Sequence, residues 1–362
     1  MTMMGSAVVL TNGWLDTVNA KTAHGLIRGT SRFEILGVVD QVCAGRDAGE
    51  VLDGKFRNIP VFSDIDACIA ALGKKPDYAV VGVAVSGGRL PENWEPLLLE
   101  VIARKISLVC GLHQQLATIP ALRDAAREQG VDILDIRKPK TLDELNFWKG
   151  EIFGVRAPRV AVLGMDCALG KRTTCRFLME ACRAADIKAE MIFTGQTGWL
   201  QGGKYGFIFD STLNDFVSGE LERAIVDCDR ETSPDLILIE GQSGLRNPSG
   251  PCGSEFLVSG QAKGVVLVAA PFLKYYEELE EFDCRTPDVR DEIALIKMYG
   301  AETLAVALNG EGGSPGELAA VQGEWSDRLG IPVIRPLVEG VEGLLPVLRG
   351  FIKQHKKTDL SL

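Results

Sequence analysis

Histidine is almost absent from this chain: His24, His113 and His355 are the only three in 362 residues. None lies near another in sequence, which argues against a histidine-built zinc site, and no metal ligand set is expected. Positive charge is also scarce. With 39 Lys and Arg against 49 Asp and Glu, the net charge of −10 disfavours nucleic acid or an anionic membrane as a partner, while leaving room for a local basic pocket. Nine cysteines occur without a single Cys-x-x-Cys pair, several in apolar runs where a thiol behaves as a small hydrophobe, so the sequence predicts a reducing cytoplasm. The opening Met-Thr-Met-Met-Gly-Ser carries no charged leader region, and the apolar run after it is too short to span a bilayer.

What is present fits a globular α/β protein. Hydrophobic residues make up 46% and charged residues 24%, and 362 residues suit two domains. Short β-branched runs at 7–10, 34–40, 78–84, 107–110 and 131–136 alternate with helical stretches at 64–72, 94–105 and 119–129, which predicts a parallel sheet. Ligands of such sheets lie beyond the carboxyl ends of the strands, here Thr11-Asn12-Gly13, Ser86-Gly87-Gly88 and Gly111-Leu112-His113. The first turn lacks Gly-x-Gly-x-x-Gly, so a nicotinamide site is disfavoured, and Asp40 reads as a solvated strand-end acid. His113 reads first as a turn residue and second as a catalyst.

A connecting segment at 142–158, with Phe147 and Trp148 docking the two halves, separates a first domain of 1–150 from a second of 151–362. The second has strands at 160–164, 190–193, 235–240, 264–269, 304–308 and 332–334, again parallel. Residues 275–283 read as a solvated acidic helix face, 310–316 as a flexible loop, and the tail from Lys353 as frayed.

The most informative segment is Gly164-Met-Asp166-Cys167-Ala-Leu-Gly170-Lys171-Arg172-Thr173-Thr174. A strand, a glycine-bounded loop and Gly-Lys opening an amphipathic helix make a phosphate-binding loop. Glycines let backbone N–H groups approach oxygens, the helix start adds unpaired donors, and Lys171 adds full charge. Five residues rather than four separate the glycines, and Arg172 stands where a magnesium-binding hydroxyl normally lies, so Thr173 or Thr174 must take that role. The longer loop resembles that of dethiobiotin-synthetase-like enzymes. A coenzyme A diphosphate and a nucleoside triphosphate present the same oxygens to it.

Three further strand ends carry polar clusters. Thr194-Gly195-Gln196-Thr197-Gly198-Trp199 is dense in donors, with Lys204 just beyond. Glu240, followed by Gln242, Ser243, Arg246 and Asn247, ends the most apolar strand; an acid there contacts magnesium or moves a proton, and Arg246 suits a carboxylate. Asn309 stands where related P-loop proteins read a purine, although any turn uses such a residue. Asp210 and Asp215 lie between; Asp215 is either a second inward-facing acid or a helix cap.

On these residues the chain resembles the D-glutamate N-acetyltransferase family, formerly a domain of unknown function. The segment 164–174 looks like that family's loop, Thr194–Trp199 like its second turn, and Glu240-Gly-Gln242 like the start of its third. Met165 replaces the family's loop Thr, and Asn247 stands where many members have His. The resemblance implies a Rossmann-like first half, a P-loop second half, and acetyl transfer from acetyl-CoA to a small amino acid, D-glutamate. Under that reading Gly164, Asp166, Cys167, Gly170, Lys171, Thr173, Thr174 and Asn309 hold the coenzyme. Glu240 is the base with Asp215 behind it. The Thr194–Gly198 backbone or the Ser243 hydroxyl holds the oxyanion. Thr194, Gln196, Thr197, Lys204, Gln242, Arg246 and Asn247 bind the acceptor. A covalent route through Cys167 or Cys252 is less favoured, because neither adjoins a histidine in sequence. Two other readings stay open: an ATP- and magnesium-dependent carboxylate-activating ligase, and a non-catalytic nucleotide-binding regulator. Base rates favour a homo-oligomer.

Overall fold

The computed structural model describes residues 3–355, which divide into two compact units. The first comprises residues up to Lys140 together with the separate segment Gln196–Lys204; the second comprises Thr141–Gly195 and the chain from Tyr205 onward.

In the first unit the strands are β1 (Gly5–Leu10), β2 (Phe33–Val39), β3 (Val61–Phe62), β4 (Tyr78–Val81), β5 (Ser107–Cys110) and β6 (Ile133–Asp135). They form one parallel sheet in the order β3-β2-β1-β4-β5-β6, the doubly wound order of dinucleotide-binding folds. The period-2 geometry of a strand explains why β1 is apolar throughout: Ala7 and Val9 enter one core, Val8 and Leu10 the other. Leu200 and Trp199 of the returning segment complete the first of these cores, and Trp199 lies under the Arg32 guanidinium at 3.9 Å.

Asp40 departs from the solvated acid expected. It is fully buried, accepting from Thr11 Oγ1 (2.7 Å) and from the backbone N–H groups of Gly13, Leu15, Val42 and Cys43. Burial alone would raise its pKa, but these donors together hold it below the usual carboxylate range. With both oxygens so engaged, Asp40 ties the β1 turn to the β2 end.

In the second unit the strands are β7 (Arg159–Gly164), β8 (Ala189–Phe193), β9 (Tyr205–Gly206), β10 (Leu236–Glu240), β11 (Gly264–Ala269), β12 (Glu302–Leu308) and β13 (Val333–Ile334). All pair in parallel in the order β13-β12-β11-β7-β10-β8-β9. β7 is central, flanked by β10 and β11, so its carboxyl end opens at the point where the winding reverses.

The segment 142–158 is folded into this unit rather than strung as a connector. Carboxylates of the helix Asn214–Thr232 accept from its backbone: Glu220 from Asn146, Glu222 from Lys149 and Ile152, Asp229 from Ala157. Phe147 meets Phe216 edge-on and Trp148 meets Phe153, both within the same unit. One other expectation fails and one needs a shorter bound. Residues 275–283 form no α-helix; Tyr276 N–H bonds Cys284 O and Thr286 N–H bonds Lys274 O, a hairpin-like return with a turn at 276–279 and a short 3-10 turn at Glu280–Phe282. The loop expected at 310–316 is irregular through Ser314, and Pro315 and Gly316 already belong to the helix Pro315–Leu329, which starts at a Ser314–Glu317 capping box. The expected fraying from Lys353 concerns a helix that continues to His355 and a tail outside the described residues. Among the described residues no helix is long and apolar enough to cross a membrane.

Candidate functional site

The loop between β7 and the helix Lys171–Ala184 is built for close approach. Gly170 sits at φ +97°, a conformation that favours glycine, and starts the helix. A Cβ at Gly164 would lie 2.8–3.0 Å from the Lys171 side chain, so the bare backbone lets the lysine stem fold over it. Lys171 is buried, with Nζ donating to the Asp166 carbonyl. Burial lowers its pKa, against the opposing pull of Cys167, Asp166, Cys252 and Glu240. Thr174 is buried in the first turn; Thr173 is half-buried.

Asp166 is 3% exposed and lines the cavity beside the loop, and both of its carboxylate oxygens are engaged by protein groups. Its Oδ1 accepts from Asn247 Nδ2 (2.7 Å) and Cys167 N–H (2.6 Å), and its Oδ2 from Glu277 N–H (2.6 Å). It thereby straps the hairpin after β11 across the loop. Burial raises its pKa despite these donors. Asn247, only 1% exposed, is equally committed, its Oδ1 accepting from the Ser249 N–H and hydroxyl. It holds the loop and presents nothing to an acceptor substrate.

On the β10 side stands Glu240, 3% exposed. One oxygen accepts from Thr194 N–H at 3.0 Å, while the Thr194 hydroxyl donates to the Glu240 carbonyl at 2.8 Å and accepts from Gln242 Nε2 at 2.8 Å. Burial raises the carboxyl's pKa; Arg172 is the strongest influence in the other direction, ahead of the Thr194 and Gly195 N–H groups and Lys171. Ser243 follows at φ +30°, its hydroxyl 3.4 Å from Cys167 Sγ, and Cys167 is half-buried. Burial pushes the Cys252 thiol up, away from thiolate character.

On the β11 side a cavity of about 330 Å³ adjoins the loop. Met165, Leu169, Pro271, Leu273 and Trp325 give it apolar surface, and Asp166, Thr286 and Asp288 add polar groups to the lining. Asn309 is not part of this lining. Its Nδ2 donates to the Leu169 carbonyl and its Oδ1 accepts from Glu311 N–H, so it braces the phosphate loop from outside.

Other expected ligands are placed differently. Asp215 is exposed on the first turn of its helix and does not face inward. Arg246 pairs through Nε with Glu292 at 2.8 Å, a carboxylate 1% exposed, so that edge of its guanidinium is unavailable to a substrate. Gln196, Thr197 and Lys204 belong to the first unit; Thr197 is buried in the helix Gln196–Leu200, and Gln196 lies against Gly111. The second unit thus brings together Gly164, Cys167, Gly170, Lys171, Thr173, Thr194, Glu240, Gln242 and Ser243. Sequence reasoning missed the Glu277 strap, hidden in an acidic run, and the influence of Arg172 on Glu240. The latter had a signal, a cation in place of the usual hydroxyl.

Comparison with known proteins agrees with this architecture. Residues 41–139 match the model of the DUF1611_N Rossmann-like domain of unknown function, and residues 146–345 that of the DUF1611_C P-loop domain of unknown function. A protein of Pseudoalteromonas sp named D-glutamate N-acetyltransferase is 29% identical over 281 residues, 76% of this chain and 82% of the relative. One of the same name from Tritonibacter scottomollicae is 27% identical over 274 residues, covering 74% and 80%. The crystal structure of a DUF1611 family protein from Anabaena variabilis, 24% identical, superposes with a TM-score of 0.84 over 96% of this chain and 99% of its own, and shares the fold. With both domain models matched in order and the phosphate loop, Glu240 and Thr194 assembled in the second, the chain belongs to the DUF1611 family.

Proposed function

We propose that this chain is an N-acetyltransferase that moves an acetyl group from acetyl-CoA to the amine of a small amino acid, D-glutamate by the names of its relatives. The observation that carries the reading is Glu240: a buried carboxyl, raised in proton affinity, set at a strand end beside a phosphate loop. Acyl transfer to an amine needs a group that takes the ammonium proton before attack, and a base poised toward neutrality does this best.

The donor set fits a coenzyme A-type ligand. Gly164, Gly170 and Lys171 suit a diphosphate, and the 330 Å³ cavity between Leu169, Pro271 and Trp325 suits a heteroaromatic base. Arg172 in the usual hydroxyl position supports diphosphate binding without a divalent cation, since its fixed charge replaces one. Acetyl-CoA supplies the activated acyl carbon. Glu240 takes the ammonium proton and returns it to the departing thiolate, while the proton that the nitrogen loses after attack passes to solvent. Thr194, which donates to Glu240 from its N–H and to the strand end from its hydroxyl, holds that carboxylate in place.

A second reading, an ATP-dependent carboxylate-activating ligase, draws support from Thr173, a half-buried hydroxyl in the first helical turn. The two separate in one assay: free-thiol release from acetyl-CoA with D-glutamate, L-glutamate or no acceptor, in the presence of a chelator and without nucleotide. Release dependent on the D-isomer is the expected result. No release with any amino acid, alongside phosphate release from ATP and magnesium, overturns the transferase reading.

A further inference from the structure

A second cavity, of about 190 Å³, lies at the opposite end of the second unit's sheet, where β7 and β11 begin. Arg159 opens β7 and Gly164 closes it, which separates this cavity from the phosphate loop by roughly 17 Å along the strand at the usual rise per residue. Its walls combine two chemistries. Val155, Pro158, Phe351 and Phe153 supply apolar surface; Arg156, Arg159 and Lys263 supply cations, and His355 an imidazole. No Asp or Glu lines it among the described residues.

Two of these residues, Arg159 and Lys263, have no contacting carboxylate among the described residues. Arg159 donates through Nε to the Gln261 carbonyl and through Nη1 to the Ala157 carbonyl, both neutral groups. Burial pushes its guanidinium down to about 10, with Asp229 opposing. Asp229 itself accepts from the backbone N–H groups of Arg156 and Ala157, and it forms no ion pair with Arg159 among the described residues. Lys263 is fixed through its backbone, donating to Arg159 O and accepting from Glu302 N–H, and its ammonium has no ion pair among the described residues. Glu302 lies 3.6 Å from His355 Nε2 and is not among the lining residues. A desolvated cation lacking an anionic partner is costly, and a bound oxyanion would remove that cost through charge-assisted hydrogen bonds.

We propose that this cavity is a ligand site separate from the phosphate loop, and that it takes a small organic carboxylate carried on an apolar body. The carboxylate sits between Arg159 and Lys263, and the body lies against Val155, Pro158 and Phe351. A bare inorganic anion would match the charges and leave the apolar wall unused.

The test is calorimetric titration of the full chain with benzoate, beside inorganic phosphate, in the parent and in Lys171→Ala, which silences the phosphate loop. Benzoate binding that survives Lys171→Ala, weakens roughly tenfold or more in Lys263→Gln and disappears in Arg159→Gln is the expected result. Lys263 makes no side-chain bond that folding needs, so that variant stays informative if Arg159→Gln misfolds. Benzoate binding unchanged in Lys263→Gln overturns the site, as does no binding at about 10 mM, a level that detects even millimolar affinity. Phosphate binding tighter than benzoate in the Lys171→Ala chain overturns the apolar-body part. Binding that appears only after residues 356–362 are removed assigns the cavity to the chain's own tail, and also overturns it.

Discussion

Replacing Glu240 by glutamine exchanges one oxygen for an NH2 group at nearly constant volume and keeps a carbonyl oxygen for the Thr194 N–H. Two effects of opposite sign follow. The carboxyl's folded-state pKa lies above its unfolded value because burial outweighs Arg172, the N–H donors and Lys171. Ionised Glu240 therefore costs stability as pH rises from the unfolded pKa of about 4.3 through the folded one, and the cost is complete above it. Glutamine carries no such cost, so the variant is the more stable protein at neutral pH, and the two chains converge below about pH 4. Removal of a positioned general base lowers the rate by about 10²–10⁴, or roughly 2.7–5.4 kcal/mol of barrier. The paired measurement is urea unfolding at several pH values beside thiol release at saturating acetyl-CoA. A more stable, nearly inactive variant is expected, and the parent's kcat should rise with pH through the raised pKa. A Glu240→Gln chain with parental kcat would refute the base assignment, and one less stable at neutral pH would refute the burial account of Glu240.

Four further outcomes are expected. Asp40→Asn should cost ~1.5–3 kcal/mol at neutral pH, because the folded pKa is depressed; that contribution is present above the unfolded value and lost as pH falls through the folded one, so the mutant's acid limb should flatten in denaturation curves. Arg172→Ser should make ADP or coenzyme A binding respond to magnesium, whereas the parent's affinity should be the same in chelator; a parent that needs magnesium contradicts the fixed-charge account. Cys167→Ser should retain most activity, and complete loss with intact folding would revive a covalent route. Asn247→Asp places a second carboxylate at the 2.7 Å contact with Asp166, which should destabilise by roughly 3–5 kcal/mol at neutral pH and less in acid, measured by thermal unfolding.

The parts of this molecule that were readable in the sequence are those set by local pattern. β5 and β11 fall on the residues expected because short, mostly apolar runs bounded by turn signals have few alternatives as buried strands. The phosphate loop is likewise local: its glycines, lysine and helix are contiguous. β3 and β9, two residues each, carry no period to read. Partners far apart in sequence were invisible. Nothing in Asp166 announces Glu277, and nothing in Arg246 announces Glu292; both residues read as ligand contacts because their protein partners come from other elements. Residues 275–283 misled for the same reason, since an acidic run resembles a wet helix face when its backbone partner across the loop is unknown. Asp40 shows the converse: burial is a property of the whole sheet, and five donors converge on it from two turns.

The segment Gln196–Lys204 has a consequence for how such a chain can be inherited. It is coded within the second half of the gene, yet Leu200 is sealed in the first unit's core and its carbonyl accepts from Thr30. The chain passes from one unit to the other at 140, at 195 and again at 204. One recombination event near codon 140 would thus give a chimera whose first unit is completed by a foreign Trp199 and Leu200, and whose own Arg32 meets an unselected partner. Exchange of either half between relatives is penalised unless the short insert travels with the opposite half, so the two halves are bound to be passed on together.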